Sequence, residues 1–280
     1  MAMVLYPQAP DGTRGVLTLC EGLADAAPVV VFVPAMGIRA SWYRLLERPL
    51  AEQGIRLARL EWRGHGESPV RPSRRLDWGY RELVDDIAAA LRTVREALPE
   101  APVVLGGHSL GGQLGACCLA LEPELARGLV TVASCSVWWR GFSGLQAGWV
   151  LGGTQLAAGL GAVLGSYPGE RVGFAGHEAA GVISDWAHQA RTGRYRLCGG
   201  PDVEAALSAF TTPALLLSLD GDDRMAPRSA VAHLASKLPG SQHEHVSSRA
   251  LQALRRPHVE WVAESADVLA RLVPFVRDCV

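Results

Sequence analysis

A serine flanked by glycines at two residues' distance on either side, Gly107-His108-Ser109-Leu110-Gly111-Gly112, follows the apolar run PVVLG and precedes the helix-like stretch QLGACCLALE. That is the G-x-S-x-G pattern between a strand and a helix. A nucleophile at the apex of so tight a turn takes a strained backbone conformation, and side chains two residues before and after it would collide. Gly107 and Gly111 remove them. The Oγ then stands clear of the sheet, and the following helix aims its free N–H groups at developing negative charge. The alternative is a glycine-rich start of a helix with an incidental serine.

A serine hydroxyl needs a base, and the base needs an acid to orient it. In a sheet of this kind the partners follow in the order Ser, Asp or Glu, His. The strand-like ALLLSL ends in Asp220-Gly221-Asp222-Asp223-Arg224-Met225-Ala226-Pro227. Asp223, four residues before the proline that would open the next helix, is expected deepest in the loop, with Asp222 in reserve. The same aspartates also suit turns and helix caps. Four histidines follow the acid. His233 falls in a helical pattern, and His243 and His245 alternate along the last strand. His258, in RRPHVE before a helix expected over 259–278, is the expected base. His108 is expected to pack on the far side of the serine turn, and His65, in a glycine-rich loop, is the weakest rival. Leu110 N–H, directly after the nucleophile, supplies one oxyanion donor.

The elements that would position these groups alternate between two periodicities. Strands are expected at 16–20, 29–33, 56–60, 102–105, 128–134, 214–219 and 242–247. Helices are expected at about 41–53, 78–98, 109–121, 227–237 and 259–278. Leu83, Ile87, Leu91 and Val94 mark one face of the second helix. Continuous branched-aliphatic strands separated by helices predict an α/β fold, a mostly parallel doubly wound sheet with its site at the carboxyl ends of the strands. The alternation breaks between 135 and 212, too long for a simple crossover. The expected division is therefore a core of 1–134 and 213–280 with a helical cap insertion at 135–212. Residues 141–169 contain no charged side chain. Their glycines and polar residues, and their position inside a sheet, argue against a membrane span.

Composition excludes other classes. With 49% hydrophobic and 20% charged residues, the chain's 280 residues can build a large core. A net charge of −1, with Lys237 the only lysine, gives no field for nucleic acid. The six cysteines show no CxxC pairs, and four lie in apolar runs as buried hydrophobes. No basic n-region precedes an apolar h-region at the N-terminus, so a reducing cytoplasm is the expected compartment. No metal-ligand spacing or phosphate loop is found, and no cofactor is expected.

These residues together resemble the α/β-hydrolase fold family over nearly the whole chain. Pro34-Ala35-Met36-Gly37 resembles the oxyanion loop, and Glu61-Trp62-Arg63-Gly64-His65-Gly66-Glu67-Ser68 resembles that family's D-x-R-G-x-G-x-S loop. By register with that resemblance, Met36 N–H is the second oxyanion donor. The chain departs from the family in carrying Pro34-Ala35 for the usual His-Gly and Glu61 for the usual aspartate. PAMG together with SYPGERVGFAGHEAAGVISDWAHQ is similar to a bacterial group of α/β hydrolases near the serine aminopeptidase and lysophospholipase-like branch. The resemblance implies a serine hydrolase acting on an ester or thioester. Trp138, Trp139, Trp149 and Trp186 suggest an apolar acyl or alcohol moiety, although they would serve equally to hold the cap on the core. Acyl transfer, release of a carrier-bound product, a non-catalytic binding role and a homodimer remain open at this stage.

Overall fold

The computed structural model describes residues 2–280. Its strands are β1 Ala2–Leu5, β2 Val16–Cys20, β3 Val29–Val33, β4 Arg56–Glu61, β5 Val103–His108, β6 Leu129–Val132, β7 Ser166–Pro168, β8 His177–Ala179, β9 Ala214–Leu219 and β10 Gln242–Val246. Its α-helices are α1 Glu47–Ala51, α2 Tyr80–Ala97, α3 Leu110–Leu121, α4 Gly144–Leu164, α5 Gly169–Val172, α6 Ala180–Thr192, α7 Val203–Ser208, α8 Arg228–Ala235, α9 Arg249–Gln252, α10 Pro257–Glu260 and α11 Ala266–Asp278. Eight strands form one sheet in the order β1-β2-β4-β3-β5-β6-β9-β10. From β4 to β10 all neighbours are parallel, while β2 runs antiparallel to both β1 and β4.

The seven expected strands are all present. β1 adds to them: AMVL is an exposed edge strand without a buried face to mark it in the sequence. The expected helix at 41–53 is a 3₁₀ turn, Ala40–Leu46, running into α1. The last expected helix divides into α10 and α11, so His258 sits in a helical turn of its own rather than in a loop.

The central strands are buried on both faces because helices cover both sides. α2 lays Leu83, Ile87, Leu91 and Val94 into that core. The loop after β4 is tied down residue by residue. Arg63 forms a two-pronged bond to Asp86 of α2 with both contacts at 2.6 Å. Ser68 Oγ accepts the Gly64 N–H at 3.0 Å, and Glu61 Oε1 accepts the Ala40 N–H at 3.0 Å. Glu61 therefore ties the end of β4 to the segment that follows β3, and burial raises its carboxyl pKa.

Between β6 and β9 the chain leaves the sheet and builds α4, the small antiparallel sheet of β7 and β8, and α6, which packs along α4. α7 returns to lie against α3. The inserted residues touch the core closely at several points, among them Gly37, where a Cβ would lie 2.3 Å from the Gly176 nitrogen, and Gly181, where one would lie 2.5 Å from the Trp78 carbonyl oxygen, so backbones meet there. A latch beside the Gly37 contact joins His65 Nε2 to Glu178 Oε1 at 3.1 Å, and the same oxygen accepts the Gly176 N–H at 3.1 Å. Burial opposes the charged imidazole, but the Glu178 carboxylate outweighs it and the His65 pKa is raised.

Two expectations follow. A Cβ at Gly111 would sit 2.2 Å from the Val33 carbonyl oxygen and 2.5 Å from that of Pro34, backbone atoms that no rotamer change can move. Gly111→Ala should cost about 1–3 kcal/mol in chemical denaturation. Glu178→Gln keeps an acceptor oxygen but removes the charge that makes the latch favour a protonated His65. Because the folded His65 pKa is raised, the latch contributes fully below the ordinary histidine value near 6.5. The stability gap between wild type and variant should be about 1.5–3 kcal/mol in mild acid and shrink as pH rises through the raised pKa. A gap that widens with pH would reverse the assignment.

Candidate active site

Ser109 stands between β5 and α3 with φ 53° and ψ −118°, a conformation L-residues avoid. Its N–H is held by the Val132 carbonyl at 3.0 Å. The turn closes because a Cβ at Gly107 would fall 2.4 Å from the Gly112 nitrogen, and one at Gly111 would enter the 33–34 backbone. Ser109 Oγ lies 3.1 Å from His258 Nε2. On its other side His258 Nδ1–H donates to Asp222 Oδ2 at 2.7 Å. Asp222 is 3% exposed, so water does not dilute that pairing.

The carboxylate that meets the imidazole is not the expected one. Asp223 is solvent-exposed and does not reach the ring; the preceding residue does. The reason is Gly221, whose φ of +76° reverses the chain at the end of β9. The next side chain is thereby turned back over the sheet and the one after it outward. A Cβ on Gly221 would lie 3.0 Å from Pro257 Cγ, so the acid turn packs directly on the histidine turn. Depth judged by distance from Pro227 missed this by one residue. The glycine after Asp220 was the available signal.

His258 is delivered by α10, which begins on Pro257 and is locked by the fully buried Trp261. Glu260 Oε2 accepts the Arg256 N–H at 2.9 Å and closes the turn. Beneath it lies an aromatic cluster in which the His108 ring packs tilted at 4.9 Å from His258 and edge-on at 5.5 Å from Trp261. His108 is wholly buried, and burial holds its pKa well below the usual value, so it packs as a neutral ring. His243 and His245 lie on β10 as expected, and His233 lies on α8. His65 belongs to the latch.

Leu110 is the first residue of α3, where the N–H has no intrahelical acceptor. Met36 follows β3 in a loop fixed at three points. Tyr43 OH accepts the Ala35 N–H at 3.0 Å and donates its own O–H to His108 Nδ1 at 2.7 Å. Trp62 Nε1–H donates to the Pro34 carbonyl at 2.9 Å. Gly111 lets α3 press against the same segment. Among the described residues no protein acceptor meets the Met36 N–H. Sequence reasoning missed Tyr43 and Trp62, because their value lies in side-chain hydrogen bonds across 8 and 28 residues of sequence.

Behind Ser109, Gln113 Oε1 on α3 accepts from Gln189 Nε2 of α6 at 3.0 Å and from Tyr195 OH at 3.2 Å. The insertion is thus bonded to the helix that carries Ser109. Beside the Met36 loop lies an apolar wall of Phe174 and Trp186, whose rings stack at 5.2 Å, together with Ala157 and Ile183. Of the four tryptophans considered, Trp186 reaches this wall. Trp138 packs on the His233 ring, Trp139 lies near Arg140, and Trp149 is exposed on α4.

Comparison with solved structures places the fold. The chain superposes on DcsB, determined in complex with its substrate analogue, with a TM-score of 0.69 at 15% identity, covering all of both chains. A thermophilic esterase from Thermogutta terrifontis matches with a TM-score of 0.64 at 16% identity over 100% of this chain and 99% of that one. A thioesterase domain from the curacin biosynthetic pathway matches with 0.60 at 16% over 98% and 99%. At such identities the likeness is one of fold, the α/β-hydrolase fold. A family model described as "Serine aminopeptidase, S33" matches residues 24–249, most of the sheet and all of the insertion. The chain accordingly belongs to the S33 serine aminopeptidase family of hydrolases.

Proposed function

We propose that this protein is a serine hydrolase that cleaves a carboxylic ester or thioester through an acyl-enzyme, with Ser109 as nucleophile, His258 as base and Asp222 as the orienting acid. The observation that carries this reading is the continuous bond line Ser109 Oγ to His258 to Asp222, at 3.1 and 2.7 Å. The serine oxygen attacks the carbonyl carbon as its proton passes to His258 Nε2. Asp222 holds the imidazole with its other proton on Nδ1 and stabilises the imidazolium. The Met36 and Leu110 N–H groups receive the oxyanion, a donor pair in which each member contributes about 3–4 kcal/mol to the transition state. His258 then returns the proton to the leaving alkoxide or thiolate. Water, deprotonated by the same imidazole, releases the acid and restores Ser109.

The segment 135–212 serves as a cap in this reading, tied to the core at Gly37–Gly176, His65–Glu178 and Gln113–Gln189. The wall of Phe174 and Trp186 beside the oxyanion loop supports an apolar acyl or alcohol group. The wall is built of aliphatic and aromatic side chains, so a carboxylate or ammonium placed against it would lose hydration without compensation.

A fluorophosphonate probe should label wild type and not Ser109→Ala. Asp222→Asn should lower kcat/KM for a simple ester by about 10⁴, the scale of a lost tautomer restraint. Asp223→Asn should stay within about twofold. Equal losses in the two would mean that the acid is misassigned, and retention of activity by Ser109→Ala would remove the reaction itself. With a series of aryl esters of rising acyl length, Trp186→Ala should raise KM for the longer chains about tenfold, the scale of a lost aromatic contact worth about 1–1.5 kcal/mol, and leave acetate nearly unchanged. A uniform loss across the series would place the apolar group elsewhere.

A further inference from the structure

α4 carries apolar side chains that the fold does not use. Leu145 is 89% exposed, Trp149 and Leu156 each 76%, and Val163 67%, with Leu160 and Leu164 also open to solvent. Together these six present on the order of 700 Å² of apolar side chain, where monomers seldom show a patch beyond a few hundred. The same face holds Gly148, Gly152 and Gly159. A Cβ at any of them would meet nothing within 4 Å. Glycine inside a helix is less stable than alanine, and here the protein's own packing gives no return for it.

The large and small residues are arranged in a self-complementary order. When α4 is laid antiparallel to a copy of itself with the crossing centred at residue 154, Leu145 faces Val163, Trp149 faces Gly159, Gly148 faces Leu160 and Gly152 faces Leu156. Every bulky residue meets a small or matching one, which is what a two-fold interface requires of a single surface. We infer that α4 is the dimerisation helix of this protein and that its occupant is a second copy of the same chain. The available apolar area approaches the roughly 800 Å² per partner of a stable interface, before neighbouring residues are added. α4 bears no charge, so two copies meet without like-charge repulsion.

The other occupants fit less well. An acidic carrier protein needs cations, and this helix has none. A peripheral membrane helix sets Lys and Arg along its polar side, which α4 lacks. By length and hydropathy α4 could cross a bilayer. Both its ends are nevertheless bonded to one globular body, Gln146 to the Arg224 carbonyl and Val163 through its carbonyl to Arg74.

Sedimentation of the full chain tests the inference. The expected species at micromolar concentration has about twice the 29.8 kDa chain mass. Gly159→Leu has room in the monomer and improves helix propensity, but in the dimer it blocks the partner's Trp149. It should weaken the dimer at least tenfold while thermal stability of the subunit holds or rises. In a Cys198→Ser background, Leu145→Cys with Val163→Cys should form intermolecular disulfides on mild oxidation. The two positions lie about 27 Å apart on one helix, so no intramolecular bond can form. A monomer at 100 µM, a dimer indifferent to Gly159→Leu, or a monomer that instead floats with vesicles of phosphatidylcholine, alone or mixed with anionic phosphatidylglycerol, would each overturn it.

Discussion

One backbone conformation governs the site. At position 109 the chain must pass from a buried strand to a buried helix without an intervening loop, and it does so with φ at +53° on a residue that has a side chain. Strain of this kind costs on the order of 1–3 kcal/mol and persists only where surroundings over-determine it. Here they do: Gly107, Gly111 and Gly112 each face atoms that would lie under 3 Å from a Cβ. The turn stays closed because these three positions have no side chains.

The same close approach sets the loop after β3. Since α3 meets the 33–34 backbone through Gly111, the N–H groups of Leu110 and Met36 are referenced to one another through direct contact. Tyr43 couples the loop to His108, and the His108 ring packs tilted beneath His258. The Ser109 turn, the Met36 loop and His258 therefore rest on one buried cluster of rings. The departure from the family's His-Gly to Pro34-Ala35 fits this arrangement. Pro34 has no N–H to satisfy, its carbonyl goes to Trp62, and the Ala35 N–H goes to Tyr43.

How much of this was legible depends on how local each cause is. The turn at Ser109 could be read because its steric demands fall within five consecutive residues. The strands could be read because β3, β5 and β9 are continuous apolar runs. The choice between Asp222 and Asp223 could not be made from residue types, which are identical; it depends on a glycine dihedral angle. β1 has no buried face and so no pattern. The exposure of α4 was hidden for the opposite reason. An uncharged apolar stretch inside an α/β chain looks like core, and only the packing of α6 along its far side leaves Leu145, Trp149 and Leu156 outward.

The structure also contains a second Ser-His-Asp array, and comparison with it isolates what a site requires. Ser218 Oγ lies 2.9 Å from His245 Nδ1, and His245 Nε2 lies 2.9 Å from Asp220 Oδ1. Distances are as good as at Ser109. Yet Ser218 sits within β9, fully buried, with regular strand neighbours and no turn to raise its oxygen toward a substrate. Ser218 is followed in sequence by Leu219, still within β9, and not by the first turn of a helix. Asp220 is held down to about 2, chiefly by the Ser247 hydroxyl, and acts as the anchor of the loop after β10. Residue identity and hydrogen-bond distance are thus shared by both arrays. The difference is the strained, glycine-cleared turn with a helix N-terminus directly after it, which in the proposed reaction leaves the oxygen open to a carbonyl carbon and sets backbone N–H groups where charge would form.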